Sequence, residues 1–194
     1  ENGYTFTNSH TPETINIEGT KTWNDANDQD GKRPGKITVN LLADGDIYAT
    51  KEVTEADGWK YNFTDLPKYK NGNKITYTIT EDTVEDYQTL VNGYDITNSY
   101  TPGKTSVSVT KAWDDADNQD GKRARNIKVR LLADGNVVAD SEVDLSDANN
   151  WSHTWSDLDI NKNGSPIEYT VEEITSVEGY ATVITGSAKT GYII

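Results

Sequence analysis

The sequence contains no cysteine, few hydrophobic residues and no long apolar run. Without cysteine, disulfide bonds and cysteine-ligated zinc sites are excluded. No stretch approaches the roughly 20 apolar residues that a membrane-spanning helix requires, so membrane insertion is not expected. Hydrophobic residues make up only 34% of the 194 residues, and strand-forming residues recur in short runs. This composition favours a thin, two-layer β fold over a helical one.

Positive charge is also scarce, since 18 lysine and arginine residues face 32 aspartate and glutamate residues, for a net charge of −14. Such a charge repels nucleic acids and anionic membranes, so neither is expected as a partner. It is otherwise typical of a well-solvated exterior. The two histidines, His10 and His153, are not spaced with other metal ligands. The sequence therefore predicts no metal and no cofactor.

The acidic segment 25–31 (Asp-Ala-Asn-Asp-Gln-Asp-Gly) only superficially resembles a calcium-binding EF-hand loop. With Gly31 at the sixth loop position, Ala26 would stand first and Ile37 twelfth, where oxygen ligands are required. A polar turn is the better interpretation, with weak cation binding as the alternative. The tryptophans could form a sugar platform, but their alternation fits packing in or near the core better. They are Trp23, Trp59, Trp113, Trp151 and Trp155.

The chain repeats itself. Residues 21–25 (Lys-Thr-Trp-Asn-Asp) match residues 111–115 (Lys-Ala-Trp-Asp-Asp) at a spacing of 90, whereas Trp59 and Trp151 are 92 apart. A two-residue insertion therefore lies upstream of Trp151. The repeat predicts two homologous domains, at residues 12–101 and 102–194. Because the connection between them is short and turn-prone, we expect a fairly extended rod.

Within each copy, hydrophobic residues recur at every second position, which is the period of a β-strand. Ile75, Tyr77 and Ile79, for example, alternate with threonines. Turn signals such as Asp44-Gly45 separate these runs. The pattern predicts about seven short antiparallel strands per domain, and so an all-β, Ig-like sandwich.

The same alternation places three polar side chains on the inward face, because the position of a residue along a strand decides its face. Lys21 shares a face with Ile17 on the first strand. Asn98 lies on the inward face of the last strand of its domain, and Glu81 lies on the inward face of an earlier strand. Burial of these groups is costly unless they meet. The matching positions in the second domain are Lys111 and Glu173.

Two interpretations of these residues remain open. In the first, lysine and glutamate form a hydrogen-bonded pair near one end of the sandwich, asparagine is a turn residue, and bulges shift the strand pattern. In the second, burial lowers the pKa of the lysine and raises that of the glutamate, so that both become neutral. A neutral amine is a nucleophile, and the glutamic acid could polarise the asparagine carboxamide and transfer protons as ammonia leaves.

Several longer motifs carry a family resemblance. Residues 21–25, residues 30–34 (Asp-Gly-Lys-Arg-Pro), residues 77–82 (Tyr-Thr-Ile-Thr-Glu-Asp) and residues 96–102 (Ile-Thr-Asn-Ser-Tyr-Thr-Pro) resemble Cna-B-type repeats of Gram-positive surface adhesins. The likeness extends over nearly all of residues 12–194 and is close to the B region of a collagen adhesin. It implies two tandem inverse-Ig-like β-sandwich domains. It also implies an isopeptide cross-link between Lys21 and Asn98 beside Glu81, and the roles of donor and catalytic acid for Lys111 and Glu173.

The second domain departs from this pattern, because residues 191–194 align with residues 93–96 and the sequence stops before the expected asparagine. We therefore expect it to lack the end of its last strand and to be unbonded within its own chain. Residues 3–8 (Gly-Tyr-Thr-Phe-Thr-Asn) match the same last strand. Residues 1–11 are accordingly interpreted as the last strand of a preceding repeat or as a donor strand, with Asn8 as an acceptor for Lys111 in trans. Head-to-tail self-association through residues 1–10 would follow. The alternative is a frayed end and a disordered N-terminus.

Three functions are compatible with these features. The leading hypothesis is a structural spacer in the stalk of a cell-wall-anchored adhesin, extracellular on a Gram-positive bacterium, with neighbouring repeats as its partners. The second is a module that itself binds a host matrix protein. The third, an accessory domain of a secreted enzyme, is disfavoured because no catalytic-cleft motif is present. Self-cross-linking would occur once per domain, so we do not predict an enzyme.

Overall fold

The computed structural model describes residues 3–194, which divide into two compact units. Of the described residues, the first unit comprises 3–27 and 32–101 and the second comprises 28–31 and 102–194. Both units are β structures, which confirms the predicted fold class. Within the described residues, helix is limited to two 3-10 turns, Glu55–Asp57 and Asp147–Asn149, and no helix has the length and hydrophobicity to cross a bilayer.

The first unit contains two facing sheets and a small hairpin. Its strands are β1 (Thr14–Asn24), β2 (Lys36–Ala43), β3 (Asp46–Thr54), β4 (Lys60–Pro67), β5 (Tyr69–Lys70), β6 (Asn73–Lys74), β7 (Tyr77–Glu81), β8 (Gln88–Asn92) and β9 (Asp95–Ser99). One sheet has the order β4-β1-β9-β8, the other the order β3-β2-β7, and β5 pairs with β6. The two larger sheets together hold seven strands, as the alternation predicts. Their inward faces enclose a core that includes Val39, Leu41 and Ile96.

One strand pair differs from the sequence-based prediction, which made the strands antiparallel. β1 pairs with β4 in antiparallel fashion along its first half, but its last residues pair with β9 in parallel, from Lys21↔Ile96 to Asn24↔Ser99. Parallel neighbours need a crossover connection rather than a hairpin. Here the chain between β1 and β9 includes the three strands of the opposite sheet. No single turn therefore joins β1 to β9, and no turn signal in the sequence reveals the direction of this pair.

The second unit repeats this architecture. Its strands are β10 (Lys104–Thr110), β11 (Asn126–Ala133), β12 (Asn136–Val137), β13 (Val143–Ser146), β14 (Ser152–Asp159), β15 (Asn161–Lys162), β16 (Ser165–Pro166), β17 (Tyr169–Glu173), β18 (Thr185–Ser187) and β19 (Gly191–Ile193). The sheet order is β14-β10-β19-β18, facing β12-β11-β13 with β17 also paired to β11. β10 pairs in parallel with β19, as β1 does with β9.

The first strand of the second unit is shorter than predicted. The match of Lys111 to Lys21 predicts that Lys111 lies on this strand, but β10 ends at Thr110. The reason is the extent of the neighbouring strand, because the parallel ladder reaches only Thr110↔Ile193. Two more hydrogen bonds follow, from the Ile194 amide to the Thr110 carbonyl and from the Ala112 amide to the Ile194 carbonyl. In the first unit, the corresponding end of β1 is held by four residue pairs with β9.

The two-residue insertion lies between β12 and β13, where the first unit has the continuous strand β3. Its centre is Ser141, which is buried and accepts a hydrogen bond from the Leu131 amide. The Ser141 carbonyl accepts the indole N–H of Trp155 at 2.9 Å, and Trp155 stands where the first unit has Phe63. The insertion thus provides an acceptor for the polar atom that the larger aromatic side chain brings into the core.

Candidate functional site

Three inward-facing polar side chains meet inside the first unit. Lys21 lies on β1 and Asn98 on the adjacent β9, whereas Glu81 lies on β7 in the facing sheet. Lys21↔Ile96 and Trp23↔Asn98 are successive register pairs on one face, which makes Lys21 and Asn98 diagonal neighbours. Lys21 Nζ donates a hydrogen bond to Glu81 Oε1 at 2.7 Å, and both side chains have no solvent-exposed surface. The structure thus buries all three residues, as the alternation predicts.

Asn98 is in an unusual environment for an amide side chain. It is completely buried, and neither its Oδ1 nor its Nδ2 has a hydrogen-bond partner within residues 3–194. Each buried polar atom left without a partner costs about 1–3 kcal/mol, so native proteins retain few of them. Asn98 is a diagonal neighbour of Lys21 on the adjacent strand, yet neither the Lys21 amine nor the Glu81 carboxyl group holds its carboxamide by a hydrogen bond.

An aromatic cluster covers the lysine. The Trp23 ring centre lies 4.3 Å from Lys21 Nζ, and this ring packs edge-on against Trp59 and Tyr87. Burial lowers the pKa of Lys21 below its ordinary value of 10.5, an effect that the hydrogen bond and the charge of Glu81 only partly oppose. A lowered pKa increases the fraction of neutral amine, which is the nucleophilic form.

The second carboxylate oxygen of Glu81 is held by a residue that the sequence did not indicate. Thr89 Oγ1 donates to Glu81 Oε2 at 2.8 Å, and Thr89 is the register partner of Asn98 across β8 and β9. Every residue of β8 is exposed, so Thr89 looks like an ordinary surface threonine in the sequence. Only the folded arrangement shows that its hydroxyl reaches a buried carboxyl group.

The acidic segment after β1 is also explained by the structure. Asp25 is buried and accepts two hydrogen bonds from the Arg33 guanidinium, at 2.7 and 3.0 Å, and one from the Tyr87 hydroxyl. The turn between these partners has three consecutive left-handed residues, 26–28. Arg33 also lies 5.5 Å from the Trp23 ring centre. The recurrence of the same spacing at Asp115 and Arg123 was the sequence signal for this ion pair.

The histidines and tryptophans take ordinary packing positions. Within residues 3–194, no three histidine, aspartate or glutamate side chains are grouped so that they could hold an ion. His153 lies on β14 and packs edge-on against Trp155 with ring centres 4.9 Å apart. The tryptophans pack in or against the two cores, as the alternation predicts.

The second unit holds a matching but more open group. Lys111 Nζ donates to the two oxygens of Glu173 at 3.1 and 3.3 Å, and Thr182 Oγ1 donates to Glu173 Oε2 at 2.8 Å. Lys111 and Trp113 line an open groove together with Ile194. The position that corresponds to Asn98 would be two residues beyond Ile194, the last residue of the sequence.

The predicted acceptor in trans, Asn8, lies on an exposed segment without regular structure. The aromatic residues next to it are almost fully exposed, Tyr4 to 94% and Phe6 to 90%. Residues 1 and 2, which belong to the predicted donor segment, lie outside the described residues. The role of Asn8 therefore stays a prediction.

The fold and the site define a class: tandem β-sandwich repeats with a lysine–glutamate pair between the two sheets, joined in the first repeat by a buried asparagine. A sequence profile of the Cna protein B-type domain matches residues 17–99 and 107–194. The chain therefore belongs to the Cna protein B-type domain family, which confirms the resemblance found in the sequence.

Among known proteins, the chain is similar to a collagen adhesin of Staphylococcus aureus, with 56% identity over 176 residues. This match covers 91% of the chain but only 15% of the adhesin. Among solved structures, it is similar to the two B repeat units (B1B2) of the S. aureus collagen-binding protein, at 51% identity and a TM-score of 0.48, covering 95% of this chain and 49% of that one. A single B repeat unit (B1) of the same protein matches at 51% identity and a TM-score of 0.46, covering 93% and 96%.

Proposed function

We propose that this chain is a pair of stalk repeats and that the first repeat locks itself with an isopeptide bond between Lys21 Nζ and Asn98 Cγ. The observation that carries the proposal is the buried carboxamide of Asn98, which has no hydrogen-bond partner within residues 3–194. It lies on the strand next to Lys21, as a diagonal neighbour of that buried, Glu81-bonded amine. Formation of an amide converts this costly arrangement into a covalent one.

The reaction would begin with proton transfer from the Lys21 ammonium to Glu81 Oε1, the atom that Nζ contacts at 2.7 Å. The neutral amine attacks Asn98 Cγ, and Glu81 gives its proton to the carboxamide oxygen, which yields a tetrahedral intermediate. A further proton passes from Nζ through Glu81 to Nδ2, the bond from Cγ to Nδ2 breaks, and the new C–N bond is retained. As the amide carbonyl re-forms, the proton on its oxygen returns to Glu81 and passes to the departing ammonia, which leaves as ammonium. Glu81 ends as the carboxylate that it was at the start.

Folding itself brings the two reacting groups together. The amine and the carboxamide are held on adjacent strands, so their reaction is effectively intramolecular and gains the high effective concentration of such reactions. The neighbouring Trp23 ring and the burial of both side chains keep water away from the amine. The first domain would react only once, which makes the process a maturation step rather than an enzymatic activity.

Mass spectrometry tests this proposal directly. The purified chain is expected to be lighter than its sequence mass by one ammonia, and a tryptic digest is expected to contain one peptide that joins the β1 and β9 segments. Lys21→Ala and Asn98→Ala should each restore the full mass. A wild-type chain of full mass with separate β1 and β9 peptides would falsify the proposal.

The biological role that we propose is that of a spacer in a cell-wall-anchored, extracellular adhesin of a Gram-positive bacterium. Two similar repeats in tandem support this role, because a spacer needs length rather than a unique surface, and the chain matches only a small part of a collagen adhesin. The alternative is that the pair itself binds a host matrix protein. Surface plasmon resonance of the pair over immobilised collagen, fibronectin and fibrinogen distinguishes the two, since a spacer is expected to give no saturable signal.

A further inference from the structure

The carboxyl group of Glu81 is anchored at two points, and only one of them belongs to the proposed reaction. Oε1 accepts the hydrogen bond from Lys21, whereas Oε2 accepts one from the Thr89 hydroxyl at 2.8 Å. The Glu81 side chain has no exposed surface, and Thr89 lies on an exposed strand. A surface residue thus reaches inward and fixes a buried carboxyl group.

The second unit provides an independent instance of the same contact. Thr182 donates to Glu173 Oε2, again at 2.8 Å. Here the threonine follows the glutamate by nine residues instead of eight, and Thr182 precedes the strand β18 rather than lying on it. The hydrogen bond is therefore kept although the connection has a different length and a different local structure.

We propose that Thr89 is a positioning residue for the cross-linking reaction, which orients the Glu81 carboxyl group so that Oε1 takes and returns the proton. This inference rests on the proposed isopeptide bond. A hydroxyl group that donates to Oε2 occupies that oxygen. The protons that Glu81 takes from Nζ then go to Oε1, the oxygen that faces the amine, and leave from there for the carboxamide oxygen and the departing nitrogen. Thr89 keeps its own proton throughout.

The consequence for rate follows from the geometry. Proton transfer requires the carboxyl oxygen to stay within hydrogen-bond distance of both the amine and the leaving group. Without the second anchor, the carboxyl group can rotate about its terminal torsion, and fewer of its orientations are productive. We expect Thr89→Val, which keeps the shape but removes the hydroxyl, to slow cross-linking about tenfold, the loss that one hydrogen bond to a charged group implies.

The experiment follows bond formation in newly made, full-length chain. Cell-free synthesis is pulsed with labelled amino acids, chased and sampled into denaturant, and the cross-linked β1–β9 tryptic peptide is quantified over time. Thr89→Val should be about tenfold slower, because it lacks the hydroxyl that anchors Oε2. Thr89→Ser, which keeps the hydroxyl but not the methyl group, should restore the rate. Thr182→Val is the matched control and should leave the Lys21–Asn98 rate unchanged.

The outcomes are distinguishable. If the wild-type chain never yields the cross-linked peptide, the proposed isopeptide bond is wrong. If the wild type reacts and Thr89→Val reacts at the same rate, the bond stands and the role of Thr89 is refuted. A purely structural threonine would lower the melting temperature of the unbonded Thr89→Val/Asn98→Ala chain relative to Asn98→Ala, and Thr89→Ser would not restore the rate of cross-linking. That result would also overturn the inference.

Discussion

Gly19 and Tyr61 face each other across β1 and β4, and the tyrosine ring occupies the space that a side chain at residue 19 would need. A Cβ atom at Gly19 would lie 2.5 Å from Tyr61 Cζ and 2.0 Å from the Tyr94 carbonyl oxygen. The Tyr61 hydroxyl donates to that same carbonyl. In the second unit the corresponding pair is Val109 and His153, a larger residue in the strand opposite a smaller ring.

Gly19→Val is therefore expected to destabilise the first unit by about 1–3 kcal/mol through overpacking. The measurement is thermal unfolding in an Asn98→Ala background, so that no covalent bond obscures the difference. The double variant Gly19→Val/Tyr61→His reproduces the pair of the second unit and should recover part of the loss. If Gly19→Val and its parent have the same melting temperature, β1 and β4 can move apart at this position without a cost in stability.

Glu81→Gln should abolish the Lys21–Asn98 bond and leave a folded sandwich, because it removes the proton carrier but little volume. The bond closes the chain from residue 21 to residue 98, so by analogy with a disulfide its loss costs about 4–5 kcal/mol, chiefly through the unfolded state. Denaturant unfolding and limited proteolysis measure this loss. Glu173→Gln is the matched control. It should still lose one ammonia from its mass, and the free energy of unfolding of its first unit should be unchanged. Full cross-linking in Glu81→Gln would remove the carboxyl group from the mechanism.

The Asp25–Arg33 ion pair is expected to hold the loop after β1 in place. Asp25 is buried, and its side chain is 0% exposed, whereas that of Arg33 is 21% exposed. Arg33→Met leaves a buried carboxylate without its main partner, which should cost about 2–3 kcal/mol, less than for a completely buried pair. Chemical denaturation of the unbonded chain measures the cost. If Arg33→Met unfolds as its parent does, the ion pair contributes nothing to stability.

The lowered pKa of Lys21 predicts a pH dependence in the unbonded Asn98→Ala chain. The unfolded chain keeps the Lys21 proton up to about 10.5, the ordinary pKa of lysine, whereas the folded chain loses it at a lower pH. Between the two values the unfolded state binds more protons, so the stability of the fold rises with pH. Asn98→Ala/Lys21→Met should lack this rise. Parallel stability curves for the two variants across this window would contradict the lowered pKa.

Asn8 remains a predicted acceptor for Lys111 of another molecule. At high protein concentration, denaturing gels should show a ladder of multimers, and Asn8→Ala or Lys111→Ala should remove it. Asn73→Ala, which changes an exposed asparagine on β6, should leave the ladder unchanged. A single monomeric band at every concentration would limit residues 1–10 to a non-covalent role at most.

The sequence predicts well which polar side chains face inward, because the two-residue period of a strand assigns each side chain to a face. That is how Lys21, Glu81 and Asn98 are identified. It cannot indicate Thr89, because an exposed threonine is common and its contact with Glu81 depends on how β7 and β8 are placed. The end of β10 was missed for a related reason, since the length of a strand depends on its partner strand rather than on its own residues.

The parallel pairing of β1 with β9 decides how the first unit responds to a pulling force. Tension enters at the N-terminal end of β1 and leaves at the C-terminal end of β9, which are opposite ends of a parallel pair. The load therefore acts along the strands, and the hydrogen bonds from Lys21↔Ile96 to Asn24↔Ser99 resist it together. An amide between residues 21 and 98 would bear the tension in place of the chain between them. Stretching the protein would then not extend residues 22–97.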